Sequence, residues 1–208
     1  MDLQELISQG EHQQQDFKYC ISSISKIAHS LSAFSNTDGG RLLVGVRDNG
    51  RIAGINSEEE IYMIDAAAKS YCKPSIDCQM ETVIVKGHNV LVVSIPPSHE
   101  RPICAREENG KYCAYIRIND ENIIASPVHL ELWKAEKRSR EEVKHVFSDF
   151  ELKCLRLIPS EGITLNRYTR HSRLPRAEAI RLMADYVRYG LVAMCHVNQN
   201  WLFSTLCS

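Results

Sequence analysis

Apolar side chains recur at spacings of three and four from Ile21 through Ile24, Ile27, Ala28 and Leu31 to Phe34. This predicts an amphipathic helix over 21–35. Gly39 and Gly40 stop it. Arg41–Val46 is a continuous apolar run, the pattern of a buried strand. Asp48-Asn49-Gly50 is a hairpin turn and Arg51–Ile55 a returning strand. Upstream, Asp2–Ser8 reads as a short helix with Leu3, Leu6 and Ile7 on one side. Gln15–Lys18 reads as a strand with Phe17 inward and Lys18 outward. Downstream, Ser57 and Glu60 form a capping box that opens a helix to about Tyr71, ended by Lys73-Pro74. Asp77–Lys86 alternates, Gly87-His88-Asn89 turns, and Val90–Ile95 completes a hairpin that Pro96-Pro97 breaks. Arg106–Lys111 is a polar turn and Tyr112–Ile118 a further strand. Ser126 caps a helix with Pro127 at its first position, and a polar connector continues it to Lys144.

The last sixty residues change character. Phe150–Ile158 and Leu165–His171 read as helices. A third runs from Pro175 to Gly190, with Ala177, Ile180, Ala184 and Val187 as its apolar positions. Leu191–Met194 and Trp201–Phe203, joined by a 196–200 link, form a closing hairpin. Three helices and a hairpin make a winged helix-turn-helix. The expected organisation is an α/β domain over 1–142 and a winged helix over 148–208, with the boundary near 140–148.

Charge sharpens that division. Of 208 residues, 44% are hydrophobic, enough for a core, and the formal net charge of -1 identifies no partner. Residues 150–208, however, carry 8 Lys+Arg against 4 Asp+Glu, leaving the rest net acidic. That excess is an electrostatic footprint for nucleic acid or an ordinary solvated surface. The eight cysteines, at 20, 72, 78, 104, 113, 154, 195 and 207, form no Cys-x-x-Cys pair and read as free thiols of a reducing compartment. No apolar run is long enough to span a bilayer, so the chain reads as soluble and cytoplasmic, with no membrane partner. There is no His-Glu-x-x-His, no Gly-x-Ser-x-Gly and no dinucleotide fingerprint. Gly39–Gly45 lacks the Gly-Lys-Ser/Thr ending of a phosphate loop.

Glu11, Asp16 and Asp48 are candidate chemistry. Carboxylates gathered at a sheet end repel one another unless protons or a divalent cation compensate them, and hard oxygens suit Mg²⁺ or Mn²⁺. Read alone, three acids among 26 are more often solvated surface. The glycines are explained by turns, and Asn36 and Asp38 by capping of the turn they flank. Lys18, Arg101 and Arg117 either touch phosphates or pair with neighbouring acids. Arg167, Arg170, Arg173 and Arg176 follow at threefold spacing into the third C-terminal helix, whose first turn reaches a DNA groove in winged helices. Arg181, Arg188, His196, Asn198 and Gln199 would add backbone contacts. Winged helices also serve as dimerisation modules.

Four blocks occur in order: Glu11-x4-Asp16-Phe-Lys18; Ala33-Phe-Ser-Asn-Thr-Asp-Gly-Gly40; Leu42-Leu-Val-Gly-Val46 followed by Asp48; and Val93-Ser-Ile-Pro96 through Arg101-Pro102 to Tyr115-Ile-Arg117. Together they resemble the Schlafen AlbA-like domain over about 5–125. The resemblance implies an α/β fold with a mixed sheet and flanking helices. It also implies that Glu11, Asp16 and Asp48 correspond to the metal-binding acids of Schlafen ribonucleases, with Asp16 standing where those enzymes have Glu. Those ribonucleases join two lobes into a clamp; here there is one, which a homodimer would complete. The leading expectation is a dimeric DNA-binding transcriptional regulator using Lys18, Arg101, Arg117, Arg170, Arg173, Arg176 and Arg181. The rivals are a Mg²⁺- or Mn²⁺-dependent endoribonuclease using Glu11, Asp16 and Asp48 on RNA, and a signalling adaptor.

Overall fold

Leu42, Leu43 and Val44 are all fully buried, which an alternating half-exposed strand does not allow. The reason is visible in the computed structural model, which describes residues 2–55, 57–138 and 146–206. It divides into two compact units, 2–125 and 126–206. In the first, α1 (Leu3–Ser8), β1 (Gln15–Lys18), α2 (Ile24–Asn36) and β2 (Gly40–Val44) are followed by α3 (Ser57–Ala66). The helix α3 runs into a π-helical turn over Ala67–Tyr71 and a two-residue strand, β3 (Cys72–Lys73). Five more strands complete the unit: β4 (Gln79–Val85), β5 (His88–Ile95), β6 (Cys104–Arg106), β7 (Tyr112–Ile118) and β8 (Glu121–Ile124).

The main sheet has the order β1-β2-β5-β4, with β1 and β2 parallel and the other pairs antiparallel. Both faces are covered. Leu43, Val46, Phe17 and Val90 pack with Leu3 and Leu6 of α1. Leu42, Val44, Leu91 and Val93 pack with Leu31 and Phe34 of α2. Each such side chain, fully buried, contributes about 1.5–3 kcal/mol. The predicted return strand over Arg51–Ile55 is absent; only an isolated bridge joins Val46 and Ile52. Both sides of β2 are already taken by β1 and β5, so the returning segment closes onto Gly45 O through the N–H groups of Ala53 and Gly54, at 2.8 and 3.1 Å.

A second sheet, β3-β6-β7-β8, lies on the other side of α2. It corrects the reading of α2 as amphipathic. Ser25, Ser30, Ser32, Ser35 and Asn36, on what the sequence offers as its polar face, are all buried. Their hydrogen bonds explain how. Ser32 Oγ donates to Ile103 O at 2.8 Å and accepts from Tyr115 N at 3.0 Å. Ser25 Oγ donates to Arg106 O at 2.9 Å, and Asn122 Nδ2 donates to Ser30 Oγ at 2.9 Å. Asn36 does not cap the turn. Its Nδ2 donates to Ile103 O and Tyr115 O, both at 2.8 Å, and its Oδ1 accepts from Ile103 N at 2.8 Å. Gly40 lets β2 leave α2 so closely that a Cβ there would lie 2.5 Å from the Phe34 ring. Gly39, at φ +67, would put a Cβ 2.8 Å from Ile95 O.

The second unit holds α4 (Pro127–Arg138), α5 (Asp149–Leu155), β9 (Ile163–Thr164), α6 (Leu165–Ser172), α7 (Arg176–Arg188) and the hairpin β10 (Val192–Val197)–β11 (Asn200–Thr205), with sheet order β10-β11-β9. The units part at 125/126, ahead of the expected boundary, because Val128 of α4 packs into the second unit's core. Ser126 caps α4 as the sequence predicts, its Oγ accepting from His129 N at 3.3 Å. The predicted connector over 139–145, the Ser57 side chain and Cys207 lie outside the described residues. Ser148 and Glu151 form a capping box on α5. Of the predicted stripe on α7, Ala184 is buried and Ile180 and Val187 pack against the core, while Ala177 is exposed; Ala179, Leu182, Met183 and Tyr186 complete the inward face. The hairpin turn is also tighter than the predicted link. Only Asn198 and Gln199, at φ 47 and 61, separate the strands, the twist a two-residue turn requires.

Candidate nucleic-acid interface

Glu11 and Asp16 are brought together in the first unit. Asp16 sits on β1 and is 3% exposed. Its register with Leu42 is fixed by the parallel pairing of β1 and β2. Glu11 precedes the strand, and its Oε1 accepts from Phe17 N at 2.9 Å. Burial first, and then a hydrogen bond to Asp16, raise the pKa of Glu11 above the ordinary carboxylate value; the Phe17 N–H and Lys18 pull it back. Two cations meet Asp16: Lys18 Nζ lies 2.7 Å from Oδ2 and Arg117 Nη2 lies 3.5 Å from Oδ1.

Asp48 does not join them. It is exposed in the turn after β2, and among the described residues no group of three or more His, Cys, Asp or Glu side chains is placed to hold a metal ion. Mg²⁺ or Mn²⁺ would need free carboxylate oxygens converging on one point. Here Asp16 is paired with Lys18 and Arg117, and Glu11 accepts from the Phe17 N–H, so the two acids stand as an internally paired cluster.

Arg117 is corrected from a phosphate contact to an internal brace. It is 2% exposed. Its Nη1 donates to Asn122 Oδ1 at 3.0 Å and its Nη2 to Gln15 O at 3.1 Å, and the guanidinium carbon lies 4.9 Å from the Phe34 ring centroid. A side chain so enclosed does not reach a ligand's phosphate. Lys18 is partly exposed beside Asp16, and Arg101 is half-buried. Sequence reasoning missed Gln15, which is fully buried and donates to Leu6 O and Gly10 O at 2.6 and 2.7 Å. Nothing in its neighbours' pattern marks a glutamine as a core residue.

In the second unit the predicted arginines stand outward. Arg167, Arg170, Arg173, Arg176 and Arg181 are all exposed. Thr164 caps α6, accepting from Arg167 N at 3.3 Å. Arg173 ends α6 in the left-handed conformation, at φ 56, which turns the chain into α7. Arg176 is the first residue of α7, and its Nη1 donates to Asn166 Oδ1 at 2.7 Å. Asn166, which the sequence did not single out, thus aims Arg176. No helix among the described residues is long and apolar enough to cross a membrane.

Solved structures similar to this chain include the DIP2311 protein from Corynebacterium diphtheriae, at 18% identity and a TM-score of 0.47. There 91% of this chain aligns with 34% of the other, so the chain spans about a third of that protein. The N-terminal domain of a RecG-related protein from Nitrosomonas europaea is similar at 20% identity and a TM-score of 0.45, over 72% of this chain and 96% of that domain. No curated protein matches the chain. The helix–Asn-Thr-Asp-Gly-Gly–strand block, whose Asn36 and glycines join α2 to both sheets, lies inside residues 11–126, the stretch matched by the family described as Schlafen, AlbA_2. That match covers more than half of the sequence, and the chain belongs to the Schlafen, AlbA_2 family.

Proposed function

We propose that this protein is a DNA-binding regulator of transcription that works as a homodimer, with its second unit acting as a winged helix. The observation that carries this reading is the outward row of arginines on α6 and α7, with Arg176 held by Asn166 at the start of α7. The order α5-β9-α6-α7 followed by the β10–β11 hairpin suits a first turn of α7 in the major groove and a hairpin tip, Asn198-Gln199, on the backbone. An arginine at that place donates two bonds to guanine or anchors a phosphate. Family membership supports a nucleic-acid role for the first unit.

The test is duplex-DNA binding across a salt series, with chelator present. Affinity should fall steeply with salt, since each phosphate contact releases a counterion. Arg176→Ala should weaken binding roughly 5- to 150-fold, from about 1–3 kcal/mol for a base contact. Salt-insensitive binding, or binding untouched by Arg176→Ala, would refute the groove reading. Manganese-dependent cutting of RNA that Glu11→Gln abolishes would move the assignment to the endoribonuclease. No nucleic-acid interaction of either kind would leave the adaptor.

A further inference from the structure

We propose that the first unit carries a stacking site for an unpaired nucleobase, built by Tyr19 and Arg47. Tyr19 follows β1 directly and Arg47 lies just past β2, at the same end of the parallel pair. The strand ends are locked there: Lys18 O accepts from Gly45 N at 2.7 Å and from Val46 N at 3.3 Å. The Arg47 guanidinium carbon lies 4.1 Å from the Tyr19 ring centroid, a stacking distance. Neither side chain belongs to the core. Tyr19 is 48% exposed, as a ring covered on one face and open on the other should be, and Arg47 is exposed too.

The turn that presents Arg47 is held from within. Arg47 N donates to Arg51 O at 3.0 Å, Gly50 N to Arg47 O at 2.7 Å, and Arg51 N to Asn49 Oδ1 at 3.0 Å. It sets exposed Arg51 across from Arg47, with Asp48 as the opposing carboxylate in the turn. A planar ring and a planar cation already stacked offer a surface on which a base can lengthen the stack, with a second arginine in reach of the adjoining phosphate. Paired bases have both faces occupied by their neighbours, so the fitting ligand is single-stranded DNA or RNA. Stacking uses base faces rather than edges, so it is tolerant of sequence.

This inference rests on a nucleic-acid role for the chain but not on the arginines of α7. The test uses the full chain with labelled oligo-thymidine, oligo-uridine and a mixed-sequence duplex. Tyr19→Leu should weaken binding of at least one single strand roughly 5- to 150-fold, from about 1–3 kcal/mol per stacked base. Tyr19→Phe should keep it within about twofold, since the ring is retained. Arg47→Ala should also weaken it, and duplex binding should be unmoved by all three. Which oligonucleotide responds identifies the strand type preferred. The inference is overturned if the unaltered protein binds neither single strand, if Tyr19→Leu binds both normally, or if Tyr19→Leu and Tyr19→Phe lose affinity alike. Single-strand binding without duplex binding would refute the groove reading and leave this site standing.

Discussion

Arg117 and Asp16 are sealed against each other, at 1% and 4% side-chain exposure. Removing Arg117 leaves buried Asp16 to Lys18 and takes the donor from Gln15 O and Asn122 Oδ1, so Arg117→Met should cost about 1–3 kcal/mol of stability, read as a lower urea midpoint. An exposed phosphate-binding arginine would cost almost nothing when replaced. The burial of Arg117 was not legible in the sequence because its partners, His12, Gln15 and Asp16, lie roughly a hundred positions away and only folding collects them. His129 shows the same logic in a titration. Burial among Trp133, Trp201 and Ser126 holds its imidazole down to about 4 from 6.5. A lowered histidine favours the fold above its ordinary value, and that stability is lost as pH falls from 6.5 toward 4. The loss should amount to about 2–3 kcal/mol. In an NMR titration its ring signals should stay still through pH 6.5 and move only near 4.

Among the elements, α2 shows most clearly where pattern reading works and where it fails. Its extent and apolar stripe follow from the spacing of Ile24, Ile27, Ala28, Leu31 and Phe34. The role of its serines does not, because exposed and buried serines look alike in a pattern until their backbone partners are known. Asn36→Leu should destabilise the protein by about 2–5 kcal/mol, since Ile103 N–H and Tyr115 O lose their Asn36 partner while Ile103 O keeps Ser32 Oγ. Thermal melting checks this, and an asparagine that only capped a turn would lose far less. The long runs Arg41–Val46 and Val90–Ile95 were readable as strands, whereas β3, β6 and β8, of two to four residues, are too short to show a period. In α7 the arginines were legible as outward positions and Ile180, Ala184 and Val187 as inward ones, but small alanines on both faces hid the full width of the buried face.

For the whole molecule, the change from strands to helices after the polar connector suggested two parts, while the place of α4 depended on packing that no sequence pattern reveals. The buried serine face of α2 has a consequence for how the first part comes undone. A helix bonded to one sheet and packed on the other cannot fray while either persists, so the three layers should melt as one cooperative block. Amide protons of Leu31 to Phe34 would then exchange with deuterium only through global opening, at the rate set by the total unfolding free energy.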